Sequence, residues 1–188
     1  MGLVIVFVQA RFGGYDALAD PLGWALVLAG LLPLRGRLPR WDVVTPLGLL
    51  AGLMSLPLFL PAVEDRLDPS GQWAVGLPQG AFCVVLCFAL SSWAERAGGA
   101  PTPVRGDDGT GPDQTKADER AARRLRLLGR AYVAVLAGPV LVYGGGLTVL
   151  ATPVALLAVL ANVALVWLVF AISRRTWALR PEVSPRPR

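Results

Sequence analysis

Four stretches of this chain, Val43–Val63, Trp73–Trp93, Ala131–Leu150 and Pro153–Ser173, each run for about 20 residues without a charged side chain, the length that crosses a bilayer as a helix. At 1.5 Å per residue such a helix covers roughly 30 Å, the thickness of the hydrocarbon layer. In that layer no water is present to satisfy exposed N–H and C=O groups, so the backbone must satisfy itself as helix. The expected fold is therefore all-α: a polytopic transmembrane helical bundle. The composition agrees, with 54% hydrophobic residues against about 45–50% in soluble domains.

The N-terminal third leaves two arrangements open. Gly2–Gln9 is apolar but only half a bilayer long. It is followed by Arg11-Phe12-Gly13-Gly14-Tyr15-Asp16 and then by the apolar Leu22–Leu34. Asp20-Pro21 is a helix start, since Asp caps free N–H groups and Pro suits the first helical position. Either Tyr15–Leu34 is a full first span, or the two short apolar pieces form a broken helix or re-entrant hairpin. Met1–Ala10 lacks the basic start and small-residue cleavage site of a secretory signal.

Charge sets the expected topology. Arg35, Arg37 and Arg40 fill the loop before the second span, whereas Glu64, Asp65 and Asp68 dominate the loop after it. Residues 95–130 carry eight basic side chains, and the tail holds Arg174, Arg175, Arg180, Arg186 and Arg188. Basic loops stay cytoplasmic. Five spans near 15–34, 43–63, 73–93, 131–150 and 153–173 follow, with the N-terminus outside and the C-terminus in the cytoplasm. The expected location is the inner (cytoplasmic) membrane. Residues 1–95 form the N-terminal transmembrane half, 96–117 a disordered cytoplasmic linker, 118–175 a basic amphipathic helix leading into the last two spans, and 176–188 a basic tail.

The net charge of +5 is explained by arginines beside the spans, so no nucleic-acid partner is expected. Only Lys116 among 18 basic residues is lysine, a composition typical of a GC-rich bacterial genome. From Asp118 onward Ala121, Ala122, Leu125 and Leu128 share one helical face. Arg120, Arg123, Arg124, Arg126 and Arg130 surround it, as in a helix lying on the anionic cytoplasmic leaflet.

Within the spans polar groups are scarce: Ser55, Gln79, Tyr143 and Asn162. Asn162 falls near the midplane, where an amide bonds to another helix or lines a path. Asp16 and Asp20 are the carboxylates nearest a span in the N-terminal third, and ionisable groups at membrane depth mark function. Gly48-xxx-Gly52 and the series Ala155, Ala158, Ala161 offer close-packing surfaces. Pro46, Pro57 and Pro61 are expected to kink the second span and Gly138-Pro139 the fourth, while Gly144-Gly145-Gly146 allows tight packing. Cys83 and Cys87 sit one helical turn apart and read as small packing residues.

With no histidine in the chain, His-based acid–base and metal chemistry are ruled out. No catalytic motif, cofactor motif or metal-ligand cluster is present. The expectation is a non-catalytic membrane protein with no cofactor, acting through packing with a second copy, a membrane-protein partner or lipid. The alternative is a small, homodimeric ion- or solute-transport protein using Asp16, Asp20 and Asn162.

Overall fold

The structure, a computed structural model, describes residues 11–12, 15–16, 20–58, 66, 68–99 and 112–173. It is an all-α bundle of five helices: α1 (Asp20–Leu31), α2 (Trp41–Leu58), α3 (Pro69–Gly99), α4 (Pro112–Pro139) and α5 (Ala151–Ser173). A two-residue antiparallel ladder, β1 (Arg11–Phe12) with β2 (Tyr15–Asp16), precedes α1.

Three helices are long and apolar enough to cross a membrane, within Ser70–Arg96, Lys116–Gly144 and Thr148–Ser173. Two shorter apolar helices, Leu22–Leu34 and Trp41–Leu56, accompany them. The first is shorter than the expected span 15–34, because Tyr15 and Asp16 pair with β1 and the helix opens at the Asp20-Pro21 step. The other apolar piece, Gly2–Gln9, lies outside the described residues, as do Glu64, Asp65 and the tail from Arg174. α2 runs unbroken through Pro46, while Pro61 also lies outside.

The same Asp-Pro grammar starts α3. Asp68 Oδ1 accepts the Gly71 N–H at 2.8 Å, and Pro69 occupies the first helical position, where its missing N–H costs nothing. α3 then runs 31 residues, about 46 Å at 1.5 Å per residue, and exceeds the expected span at both ends. Its last residues, 96–99, and the first of α4, 112–117, were expected to belong to the linker. They are helical instead, and the middle of that linker lies outside the described residues.

The fourth span also differs. It was expected over Ala131–Leu150 with a turn at Leu150–Pro153. α4 instead ends at Pro139, passes through a π-turn at Val140–Gly144, and the chain reverses at Gly145–Leu147. The glycine triplet breaks the helix because Gly146 adopts φ +67°, a left-handed conformation that side chains disfavour. The chain then re-enters helix through a 3₁₀ turn at Thr148–Leu150, with Pro153 in the first turn of α5.

Small residues set how the helices meet, as packing in lipid requires, where apolar burial alone drives little association. A methyl group at Gly48 would come within 3.1 Å of Leu28 and Phe82, and one at Gly52 within 3.1 Å of Trp24. Those two glycines therefore lie on the seam of α1, α2 and α3. Trp24 and Phe82 meet edge-to-face there, ring centroids 5.1 Å apart. On the other side Gly80 faces Leu136, Gly129 faces Cys87 and Phe88, and Gly138 faces Val154. These contacts make α3/α4 and α4/α5 antiparallel pairs, with α3 at the centre of the bundle.

The basic segment also corrects an expectation. Ala121, Ala122, Leu125 and Leu128 do share a face, and all four are buried. The segment is continuous with the rest of α4 and forms one helix with it. Its apolar face is covered by protein, while Glu95 of α3 pairs with Arg126 and Trp167 of α5 lies under Arg124, 6.0 Å from ring centroid to guanidinium carbon.

Candidate functional site

Where α3, α4 and α5 separate, they enclose a part-open cavity of about 400 Å³. Its existence follows from side-chain size. α3 presents Gly76 and Gly80 to it, and α5 presents Ala151, Ala155 and Ala158. Leu136 of α4 and Val142 and Tyr143 of the π-turn line the opposite wall. Of the alanine series expected to pack, Ala161 is buried in the core, whereas Ala155 and Ala158 line this cavity.

Irregular backbone surrounds it. Pro78 lies inside α3 beside Gln79 and cannot donate to the Ala74 carbonyl. Pro139 ends the α-helical part of α4, and the following π-turn closes with the Gly145 N–H shared between the Val140 and Leu141 carbonyls, both at 3.1 Å. Single π-turns of this kind concentrate at functional sites.

The cavity runs from the glycine-turn end of the bundle inward. Trp73, Gly76, Tyr143 and Ala151 lie at that end, and Cys83, Tyr132 and Asn162 form the floor. Asn162 is the middle residue of α5, about 16 Å from Ala151 at 1.5 Å per residue. The Tyr132 hydroxyl donates to Asn162 Oδ1 at 2.7 Å, joining α4 to α5. Cys83 of α3 interacts with Tyr132 across the same floor. Cys83 and Cys87 are both free thiols.

At the mouth, the Trp73 indole N–H is buried without a hydrogen-bond partner among the described residues. Gln79 lies between mouth and floor. None of the lining side chains is charged. The polar atoms thus form two groups: a hydrogen-bonded pair at the floor, and a mouth where the Trp73 indole N–H has no partner among the described residues.

Of the residues singled out by sequence, Gln79 and Asn162 both line this cavity. Of Asp16 and Asp20 only the backbone is described: Asp16 stands opposite Arg11 in the ladder, and Asp20 opens α1, which packs on α2. Gly48 and Gly52 lie on the far seam. Arg120, Arg123, Arg124, Arg126 and Arg130 are all exposed along the basic end of α4. Among them Arg120 Nε also donates to the Lys116 carbonyl at 3.1 Å.

Tyr132 was missed because the expected span began at Ala131, which put the phenol at an interface. The signal was present: reversing the chain at Gly146 sets Tyr132, fourteen residues before, nearly opposite Asn162, sixteen after. For Trp73, only its surroundings in the fold reveal a donor without a partner among the described residues. No protein-family model matches the chain, and no curated protein and no solved structure matches it either.

Proposed function

We propose that this chain is a non-catalytic bacterial multi-pass membrane protein that holds an apolar guest from the bilayer in the cavity between α3, α4 and α5. The observation that carries the reading is the cavity itself, with its uncharged lining, its floor closed by the Tyr132–Asn162 hydrogen bond, and its place within the three bilayer-length helices. Pockets for small molecules are typically roughly 300–1,000 Å³ and mostly apolar. A water-filled path would carry more polar and charged lining than Val135, Leu136, Val142 and Val154 provide.

The non-catalytic part is supported by the lining. The described lining offers a thiol, two phenols, two amides and an indole, with no carboxylate or imidazole to act as general base. The five-span topology, N-terminus outside and C-terminus cytoplasmic in the inner membrane, follows from the alternating charge of the loops. In that orientation the exposed arginines of α4 meet anionic lipid at the cytoplasmic leaflet, each contributing about 1 kcal/mol near the surface. The outer face of α5, with Leu156, Val159, Leu160, Val163 and Phe170 exposed, faces lipid, a second copy or a membrane-protein partner.

Native mass spectrometry of the detergent-extracted full chain tests the reading. Wild type should retain one lipid-sized adduct. Ala158→Trp, which fills the cavity, should lose it while keeping the same helical circular dichroism. An adduct equally retained by Ala158→Trp would overturn the reading.

A further inference from the structure

We propose that the guest is an uncharged lipid bearing hydrogen-bond acceptor oxygens, such as a monoacylglycerol, whose head is read by the Trp73 indole at the cavity mouth and the Gln79 amide just inside it. This inference rests on the guest-holding function above and names the chemistry of that guest.

The lining fixes the charge of the ligand. An ionised headgroup moved from water into this cavity would lose hydration and find no opposite charge among the lining residues. That loss costs several kcal/mol per ion even after relaxation. A purely hydrocarbon guest has the opposite defect, because it leaves the mouth's polar groups unanswered.

Trp73 then fixes the polarity of the head. Its Nε1–H is a donor only, so whatever meets it must accept. Buried donors in native proteins nearly always have a partner, yet this one has none among the described residues. An acceptor oxygen on a ligand would supply one. Gln79 lies between mouth and floor with both a donor and an acceptor to offer. A glycerol ester matches this set, with carbonyl oxygen for the indole and hydroxyl groups for the amide.

The floor needs no polar partner from the guest, since Tyr132 donates to Asn162. The space between is walled by Val135, Leu136 and Val154, which suits a single acyl chain. From Trp73 to Cys83 is about 15 Å along α3 at 1.5 Å per residue, a chain of medium length.

The test uses the full chain in phosphatidylcholine nanodiscs, photolabelled with a diazirine-bearing lauroyl glycerol. Label should attach within residues 73–83 and 151–162. Unlabelled monolaurin should compete at least five-fold better than dodecane or laurate, which share its chain length but lack a head or carry a charge. Trp73→Phe keeps an aromatic side chain but removes the N–H with the rest of the indole, and should weaken monolaurin about three- to ten-fold, the worth of one hydrogen bond, while affecting dodecane less. Gln79→Leu should act in the same direction, which keeps the inference testable if Trp73→Phe fails to fold. Equal competition by all three compounds, or silent variants, would overturn the polar recognition while leaving a guest in the cavity. Absence of label from both segments would overturn the guest-holding function as well.

Discussion

Tyr132 and Asn162 provide the sharpest quantitative expectation, because their hydrogen bond links α4 and α5 at the floor of the cavity. Tyr132→Phe keeps the ring but leaves the Asn162 amide without its donor. A buried polar group stripped of its partner costs about 1–3 kcal/mol. Asn162→Leu removes the acceptor of the phenol but leaves Cys83 beside it, so it should cost less than Tyr132→Phe. The double variant replaces both by apolar groups of like shape, so its cost should be smaller than the sum of the two. Measured coupling across membrane helices averages about 0.6 kcal/mol and reaches about 1.7. At 2.7 Å, with little competing water, this pair should fall in the upper half of that range. Reversible unfolding in mixed dodecylmaltoside–SDS micelles, followed by circular dichroism, gives the cycle directly. Strict additivity of the two single variants would refute the argument that the pair holds the floor.

Three further expectations follow from the packing. A methyl at Gly138 would lie 2.6 Å from Cγ1 of β-branched Val154, which cannot swing aside, so Gly138→Ala should cost about 1–3 kcal/mol in the same unfolding assay. Gly80→Ala meets Leu136 closest through Cδ2, with Cγ at 3.1 Å; the far end of this side chain can swing, so the cost should be less, while Val154→Ala should rescue Gly138→Ala. Arg40 holds a left-handed backbone at φ 61°, so Arg40→Gly should gain about 0.5–1 kcal/mol in unfolding despite the lost side chain. Glu95→Gln, at a half-exposed ion pair with Arg126, should change stability by less than about 1 kcal/mol and respond to salt.

The helical class was legible because apolar runs of bilayer length admit little else. The helix starts were legible too, since Asp20-Pro21 carries its own capping chemistry. The positions of the turns were less so. Gly144–Gly146 and Leu150–Pro153 both interrupt an apolar run, and only the left-handed φ of Gly146 against the helix-compatible Pro153 decides which one reverses the chain. That displacement of about one and a half turns moved Tyr132 from an interface to the floor of a cavity. The fate of the basic face was hidden for another reason. An apolar stripe at 121–128 looks the same whether lipid or a neighbouring helix covers it, and the length of α3 decided in favour of the helix.

The claim that the cavity is an apolar, water-poor guest site is tested most directly by collision accessibility. A nitroxide on Ala158→Cys, in a background where Cys83→Ala and Cys87→Ala remove the native thiols, reports from the lining itself. In nanodiscs the account predicts strong relaxation by oxygen, which partitions into hydrocarbon, and weak relaxation by a water-soluble nickel chelate. Dominant nickel relaxation at this position would mean a hydrated path through the bundle and would contradict the account.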